Sequence, residues 1–181
     1  MNDKELIQQI LSGNMNAFTF LVKQHEKLVS HLVFRIVQQH DTVQDVCQEI
    51  FIKVFKNLKH FKGESKLSTW IASIAYNTSI THIRKEGRHK SQDIDEGITT
   101  FLPTESNSPE TILEKGEMKN LIKQKIEALP EHYRTIITLF HLEEFSYKEI
   151  EEITGMPEGT IKTHLFRARK ILKESLSFVN S

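Results

Sequence analysis

Near the C-terminal end, Lys162, Thr163, Phe166, Arg167, Arg169 and Lys170 crowd into a short segment whose residue types suit contact with a polyanion. Lysine and arginine neutralise phosphates, and in a DNA major groove their donors also match guanine edges. No comparable set exists for catalysis. The nine histidines are scattered without an HExxH pair, and no paired carboxylates, Ser-His-Asp order or phosphate loop is assignable. The single Cys47 has no partner for a disulfide or a zinc site. The expectation is therefore a binding protein, with no enzymatic activity, metal or cofactor.

A basic segment acts as a unit only if its secondary structure puts the charges on one face. Ile161, Leu165, Ala168 and Leu172 recur at spacings of four, three and four, the stripe of a helix that packs on its neighbours. At about 100° per residue the opposite face carries Thr163, Phe166, Arg167 and Lys170. Lys162 and Arg169 flank that face on one side, and His164 on the other. Upstream, Ser146-Tyr147-Lys148-Glu149 matches a capping box, Gly155 supplies a left-handed stop at about Thr154, and Pro157 opens the next helix. A short helix, a tight glycine turn and a longer basic helix predict a helix-turn-helix with its second helix in the major groove.

The N-terminal half reads as successive amphipathic helices punctuated at Ser12-Gly13-Asn14, at His40-Asp41, where Asp41 can cap, and at Lys62-Gly63-Glu64-Ser65. On a helix from Asp41 to Leu58, the residues Val43, Cys47, Ile50, Phe51, Val54 and Leu58 share the predicted core side. Asp45, Gln48, Glu49, Ile52 and Lys56 share the other, and an isoleucine amid polar and acidic neighbours suggests a protein contact. A helix from about Ser68 to Lys85 has two apolar stripes, Trp70, Ile71, Ile74 and Ala75 on one and Tyr76, Ile80 and Ile83 on the other. A helix apolar on two sides is sandwiched. The loop before it, Phe61 to Ser68, combines an aromatic residue with Lys62 and Lys66 in the manner of a surface that takes an unstacked base.

Composition bounds the rest. Lys+Arg and Asp+Glu are equal at 24 each in 181 residues, so any electrostatic attraction to nucleic acid must come from local clustering. No apolar run approaches the roughly 20 residues of a membrane span. The start, Met-Asn-Asp-Lys-Glu, does not resemble a secretory signal. Together with the lone cysteine this predicts a cytoplasmic protein. The expected class is all-α: two small helical domains, residues 1–87 and 112–181, joined by a polar linker at 88–111 in which Ser, Thr, Asn, Asp, Glu, Gly and two of the four prolines cluster. The first domain ends on a basic knot, Arg84-Lys85-Glu86-Gly87-Arg88-His89-Lys90.

These motifs, in order, resemble the extracytoplasmic-function (ECF) group of the sigma-70 family of RNA polymerase sigma factors. Asp45-Val46-Cys47-Gln48-Glu49-Ile50-Phe51 resembles the core-binding segment. Leu67-Ser68-Thr69-Trp70-Ile71 with Ile74-Ala75-Tyr76-Asn77 resembles the downstream-promoter segment. Gly159-Thr160-Ile161-Lys162-Thr163-His164-Leu165 with Arg167-Ala168-Arg169 resembles the recognition helix. The resemblance implies promoter-specific transcription initiation, with core RNA polymerase, through the clamp helices of its largest subunit, and promoter DNA as partners, and an anti-sigma factor as a further partner.

Residue by residue, the resemblance implies that Asp45, Gln48, Glu49, Ile52 and Lys56 contact polymerase. Phe61, Lys62, Ser65, Lys66, Ser68, Thr69, Trp70, Tyr76, Asn77, Arg84 and Lys85 become candidates for the minus-ten strand. Glu158, Thr160, Lys162, Thr163, His164, Phe166, Arg167, Arg169 and Lys170 become candidates for the minus-thirty-five duplex. Tyr76, Thr81 and His164 depart from the family, which often has Arg, Asp and Arg there. The alternative reading is a dimeric helix-turn-helix regulator that acts without polymerase.

Overall fold

The computed structural model describes residues 2–92 and 115–177, and these form helices joined by short turns and loops, with no strand among them. The helices are α1 (Asp3–Leu11), α2 (Met15–Val37), α3 (His40–Asn57), α4 (Leu67–Gln92), α5 (Lys115–Glu127), α6 (Glu131–Ile137), α7 (Tyr147–Thr154) and α8 (Glu158–Ser177). A 3₁₀ turn, Leu58–His60, extends α3, and a π-helical turn, Thr138–Leu142, extends α6. No helix among the described residues is long and apolar enough to cross a membrane.

Local chemistry sets most of the boundaries. Asn2 and Glu5 form a capping box at α1, and the Asn14 side chain accepts from the backbone amides of Asn16 and Ala17 to start α2. Gln38 ends α2 in the left-handed region, at φ 57°. Ser146 and Glu149 form the predicted capping box of α7, and Gly155, at φ 72°, ends it. That conformation costs a side chain a Cβ clash that glycine lacks.

Two boundaries differ from expectation. Asp41 does not cap α3: the N-cap is Gln39, without a side-chain bond, and Asp41 falls in the first turn, where its charge complements the helix dipole. Also, α4 runs on to Gln92, so the first residues expected in the linker are helical. Residues 93–114, most of that linker, lie outside the described residues.

Leu6 and Ile10 of α1, Leu21, Val29, Leu32 and Val33 of α2, Val46, Ile50 and Val54 of α3, and Ile71, Ala72 and Ala75 of α4 form the N-terminal core. In the C-terminal half, Ile136, Leu139, Ile150, Ile153, Ile161, Leu165 and Ala168 are buried. The buried side of α3 is rotated from the expected one: Val46 is buried, whereas Val43, Cys47 and Phe51 are half-buried. The predicted set was one position off the axis of the stripe.

The sandwiching of α4 is as predicted, but one of its covers comes from the other half of the chain. Helices α2 and α3 pack on it, and so does α7. A second line of contact joins α2 to α6, where the Arg134 side chain donates to the carbonyls of Arg35, Glu127 (3.0 Å) and Leu129 (2.6 Å). Gln38 Nε2 also donates to the Glu127 carbonyl, at 2.8 Å. The two halves thus share one continuous buried cluster.

Deleting the fully buried Ile71 side chain with Ile71→Ala should lower unfolding free energy by about 2–5 kcal/mol in urea denaturation. Lys173→Ala, on the exposed side of α8, should stay within about 0.5 kcal/mol of wild type.

Candidate functional site

The first candidate surface is the outer side of α8. Ile161, Leu165 and Ala168 are each at most 1% exposed, so the stripe they form fixes the helix's rotation. Thr163, Arg167 and Lys170 consequently face solvent, and Phe166 is 70% exposed. Glu158, Thr160, Lys162 and Arg169 are exposed as well. The flanking cations are held from below: Lys162 Nζ sits 5.2 Å over the Tyr147 ring, and the Arg169 guanidinium 5.5 Å over Phe140. Those two rings stack on each other with centroids 4.9 Å apart. Lys162 also pairs with Glu158 at 2.5 Å, and Arg169 Nε bonds His141 Nε2 at 3.1 Å.

His164 does not join this face. Its ring packs 5.1 Å from His132 and 5.4 Å from Tyr133, both on α6, and its Nδ1 is buried without a hydrogen-bond partner. Burial, then the neighbouring His132 and Arg167, lower its pKa, which keeps it neutral near pH 7. This corrects its expected place among the groups reaching DNA. An edge position on the helical wheel faces whatever neighbour happens to lie beside it.

The second surface lies on α3. Asp45, Gln48, Glu49, Lys56 and Ile52 are all exposed, Ile52 by 53%. Glu49 is held at 2.7 Å by Lys53, whose hydrogen bond is the main reason its carboxyl lies below the usual range. Gln48 and Ile52 form one wall of an open groove of about 1140 Å³, with Met15, Phe18 and Val22 of α2 opposite and Cys47, Phe51 and Phe55 along it. Phe18 and Phe55 meet edge to face at 4.9 Å. Burial pushes the Cys47 thiol up, so it behaves as an apolar lining group. Met15, Phe18, Val22 and Phe55 escaped the sequence reading, since residues from two helices make a groove only once those helices are packed. Met15 and Phe55 are exposed by 57% and 42%.

The third surface comprises the loop and the start of α4. Phe61 and Trp70 approach with ring centroids 5.3 Å apart, and Lys62, Ser65 and Lys66 lie between them in sequence, the two lysines exposed. Asn77, Arg84 and Lys85 are exposed further along α4, with Arg84 roughly 25 Å from the loop at 1.5 Å per residue. Thr69 is only 1% exposed and its hydroxyl lacks a partner, which corrects its expected availability to a strand. Tyr76 is half-buried, and burial raises its phenol pKa. Ser68 faces a cavity of about 280 Å³ between the two halves of the chain.

Comparison with known proteins matches residues 21–89 to the Sigma-70 region 2 family and residues 119–172 to Sigma-70, region 4. The ECF RNA polymerase sigma-E factor of Haemophilus influenzae is 33% identical over 97% of this chain and 96% of its own length. That of Escherichia coli K12 is 35% identical over 95% and 93%. The chain belongs to the ECF group of RNA polymerase sigma factors. These are non-enzymatic transcription initiation factors. Among solved structures, the sigma factor RpoE of Bartonella quintana, in complex with the anti-sigma factor NepR, aligns with a TM-score of 0.68 at 25% identity, covering 88% of this chain and 96% of that one. In this sigma factor the basic side of α8 falls within the region 4 match. The α3 ridge and the α4 loop fall within the region 2 match, whereas Met15 and Phe18 of the groove precede it.

One carboxylate links the α4 loop to the helix-turn-helix. Glu149 closes the α7 capping box, accepting from Ser146 N (2.8 Å) and Ser146 Oγ (2.7 Å), and meets Lys66 Nζ at 2.9 Å. Burial pushes its carboxyl up, but Lys66 and the two Ser146 donors outweigh burial and bring it down to about 2. The folded value thus lies below the unfolded one of about 4.3. The stabilisation is complete above about pH 4.3 and is lost as pH falls through about 2. Acid titration of stability should show Glu149→Gln losing that part of the slope, and Ser146→Ala should cost about 0.5–2 kcal/mol at neutral pH.

Proposed function

We propose that this sigma factor binds core RNA polymerase through the α3 ridge, captures the minus-ten strand with the α4 loop, and reads the minus-thirty-five duplex with the outer side of α8. The observation that carries the reading is the orientation of α8. Its apolar stripe is buried and its Thr163, Phe166, Arg167 and Lys170 side is presented to solvent, as major-groove readout requires. Arginine and lysine supply phosphate neutralisation and guanine readout, and the Phe166 ring supplies an apolar contact for thymine methyl groups.

On α3 the proposed partner is a helical segment of polymerase, for which the clamp helices of its largest subunit are the family's candidate. An exposed isoleucine beside an apolar groove, framed by Asp45 and Glu49, fits an amphipathic helix with a basic margin. Minus-ten capture rests on the pairing of Phe61 with Trp70 beside Lys62 and Lys66, the combination of aromatic surface and cations that binds unstacked strands. Two modest DNA contacts on one chain reinforce each other, because the second is made intramolecularly.

Run-off transcription with purified core polymerase tests the reading: mapped start sites preceded by a common pair of elements support it. Absence of specific transcripts would favour a dimeric regulator instead. Arg167→Ala should weaken binding to the minus-thirty-five duplex by on the order of 1–3 kcal/mol. Ile52→Asp should impair assembly with core polymerase, read by native gel shift, while circular dichroism remains that of the wild type.

A further inference from the structure

Arg169 is held by neutral groups alone. Its Nε donates to His141 Nε2 at 3.1 Å, and its guanidinium lies 5.5 Å over the Phe140 ring. Among the described residues no carboxylate pairs with it, whereas Lys162 meets Glu158 at 2.5 Å and Lys170 approaches Glu174 at 4.0 Å. Neutral partners fix the position of a cation without cancelling its charge. We propose that Phe140 and His141 are positioning residues for promoter recognition: they aim Arg169 at a DNA phosphate, so that it sets the register of α8 on the duplex while Arg167 reads base edges. The proposal rests on the minus-thirty-five role given above to α8.

The place of Arg169 on the helix supports the phosphate role. At about 100° per residue it lies ~70° round from the centre of the buried stripe, and Arg167 lies ~130° round in the other direction. A helix roughly 10–12 Å across fills a major groove about 12 Å wide, so its outer side meets base edges and its flanks meet the phosphate walls. The chemistry agrees. A guanidinium carries five N–H donors in one plane. Stacking on Phe140 uses its face and His141 takes one donor, which leaves the other four for a forked contact with phosphate oxygens.

The support under Arg169 depends on an irregular stretch of backbone. Phe140 and His141 sit in the π-helical turn Thr138–Leu142, closed by Glu143 N donating to the Thr138 carbonyl at 3.0 Å. Such a wider turn displaces side chains from the positions an α-helix would give them. The chain then passes through Glu144 at φ 56°, a left-handed conformation that is costly for a residue with a Cβ. Tyr147 backs Phe140, stacked at 4.9 Å and 18°, and His141 meets Phe140 edge to face at 5.0 Å. Burial, then Arg169, lower the His141 pKa, so Nε2 keeps the lone pair that accepts from Arg169 near pH 7.

The test uses the full chain assembled with core polymerase, on a promoter duplex whose start site has been mapped by run-off transcription. Equilibrium binding is measured over a salt series, on that duplex and on versions with single base-pair changes in the minus-thirty-five element. Arg169→Ala should weaken binding by a similar factor on all of them and lower the salt slope by about one, whereas Arg167→Ala should relax the preference at particular positions. Phe140→Leu and His141→Leu should each weaken binding about two- to five-fold, uniformly across the duplexes. His141 is exposed, so its replacement should leave the fold intact even where Phe140→Leu does not. His141→Gln, which keeps an acceptor, should recover most of the loss. In the Arg169→Ala background neither leucine variant should have a further effect, a coupling that a merely structural role would not produce.

Altered base preference in Arg169→Ala, or a loss from His141→Leu that persists in the Arg169→Ala background, overturns the positioning role. If Arg167→Ala weakens binding and the Arg169 and His141 variants do not, only this proposal falls. If none of the three changes binding, the reading of α8 falls with it.

Discussion

The constraint on which this molecule depends is the burial of α4 on more than one side. A helix carrying Trp70, Ile71 and Ala75 on one stripe and Tyr76 and Ile80 on another exposes apolar surface unless it is covered twice. At about 25 cal/mol per Å² of apolar area, leaving either side in water would forfeit a substantial part of a small domain's stability. Helices α2, α3 and α7 all pack on it, the last from the C-terminal half. From that docking follow the contact between the two halves, the engagement of Lys66 by Glu149 and the position of α8 relative to the α4 loop.

A second, local constraint sets the solvent-facing basic side of α8. Ile161, Leu165 and Ala168 must enter the C-terminal core, and a rigid helix then has no rotational freedom left for its other side chains. The same core supplies the aromatic pair Phe140 and Tyr147, whose faces steady Arg169 and Lys162. Long side chains ordered in advance lose less entropy when a partner binds them. The basic surface is thus supported by packing beneath it.

The groove on α2 and α3 shows the opposite arrangement. There the core stops short, leaving Ile52, Phe55 and Met15 exposed around a depression of about 1140 Å³. Charge surrounds it on α3, with Glu49 held by Lys53, so the apolar patch is bounded by polar groups. Interaction surfaces commonly have this composition, an apolar centre with a solvated margin.

Periodicity and capping were sufficient, without coordinates, to read the chain as helical and to mark α3, the Ser146 and Gly155 boundaries of α7, the stripe of α8 and the exposed ridge from Asp45 to Lys56. These features arise from interactions within a turn or two of chain, and such interactions are written in neighbouring residues. What needed the tertiary structure was every feature made by residues far apart in sequence. Those are the groove between α2 and α3, the turning of His164 onto His132, the burial of Thr69, and the pairing of Lys66 with Glu149. Asp41 missed its expected capping role because Gln39 and His40 had already taken the first positions of α3, a shift of two residues that sequence patterns rarely resolve. Which element covers the second side of α4 depends on how separate helices pack, and a helical period records only that a side must be covered.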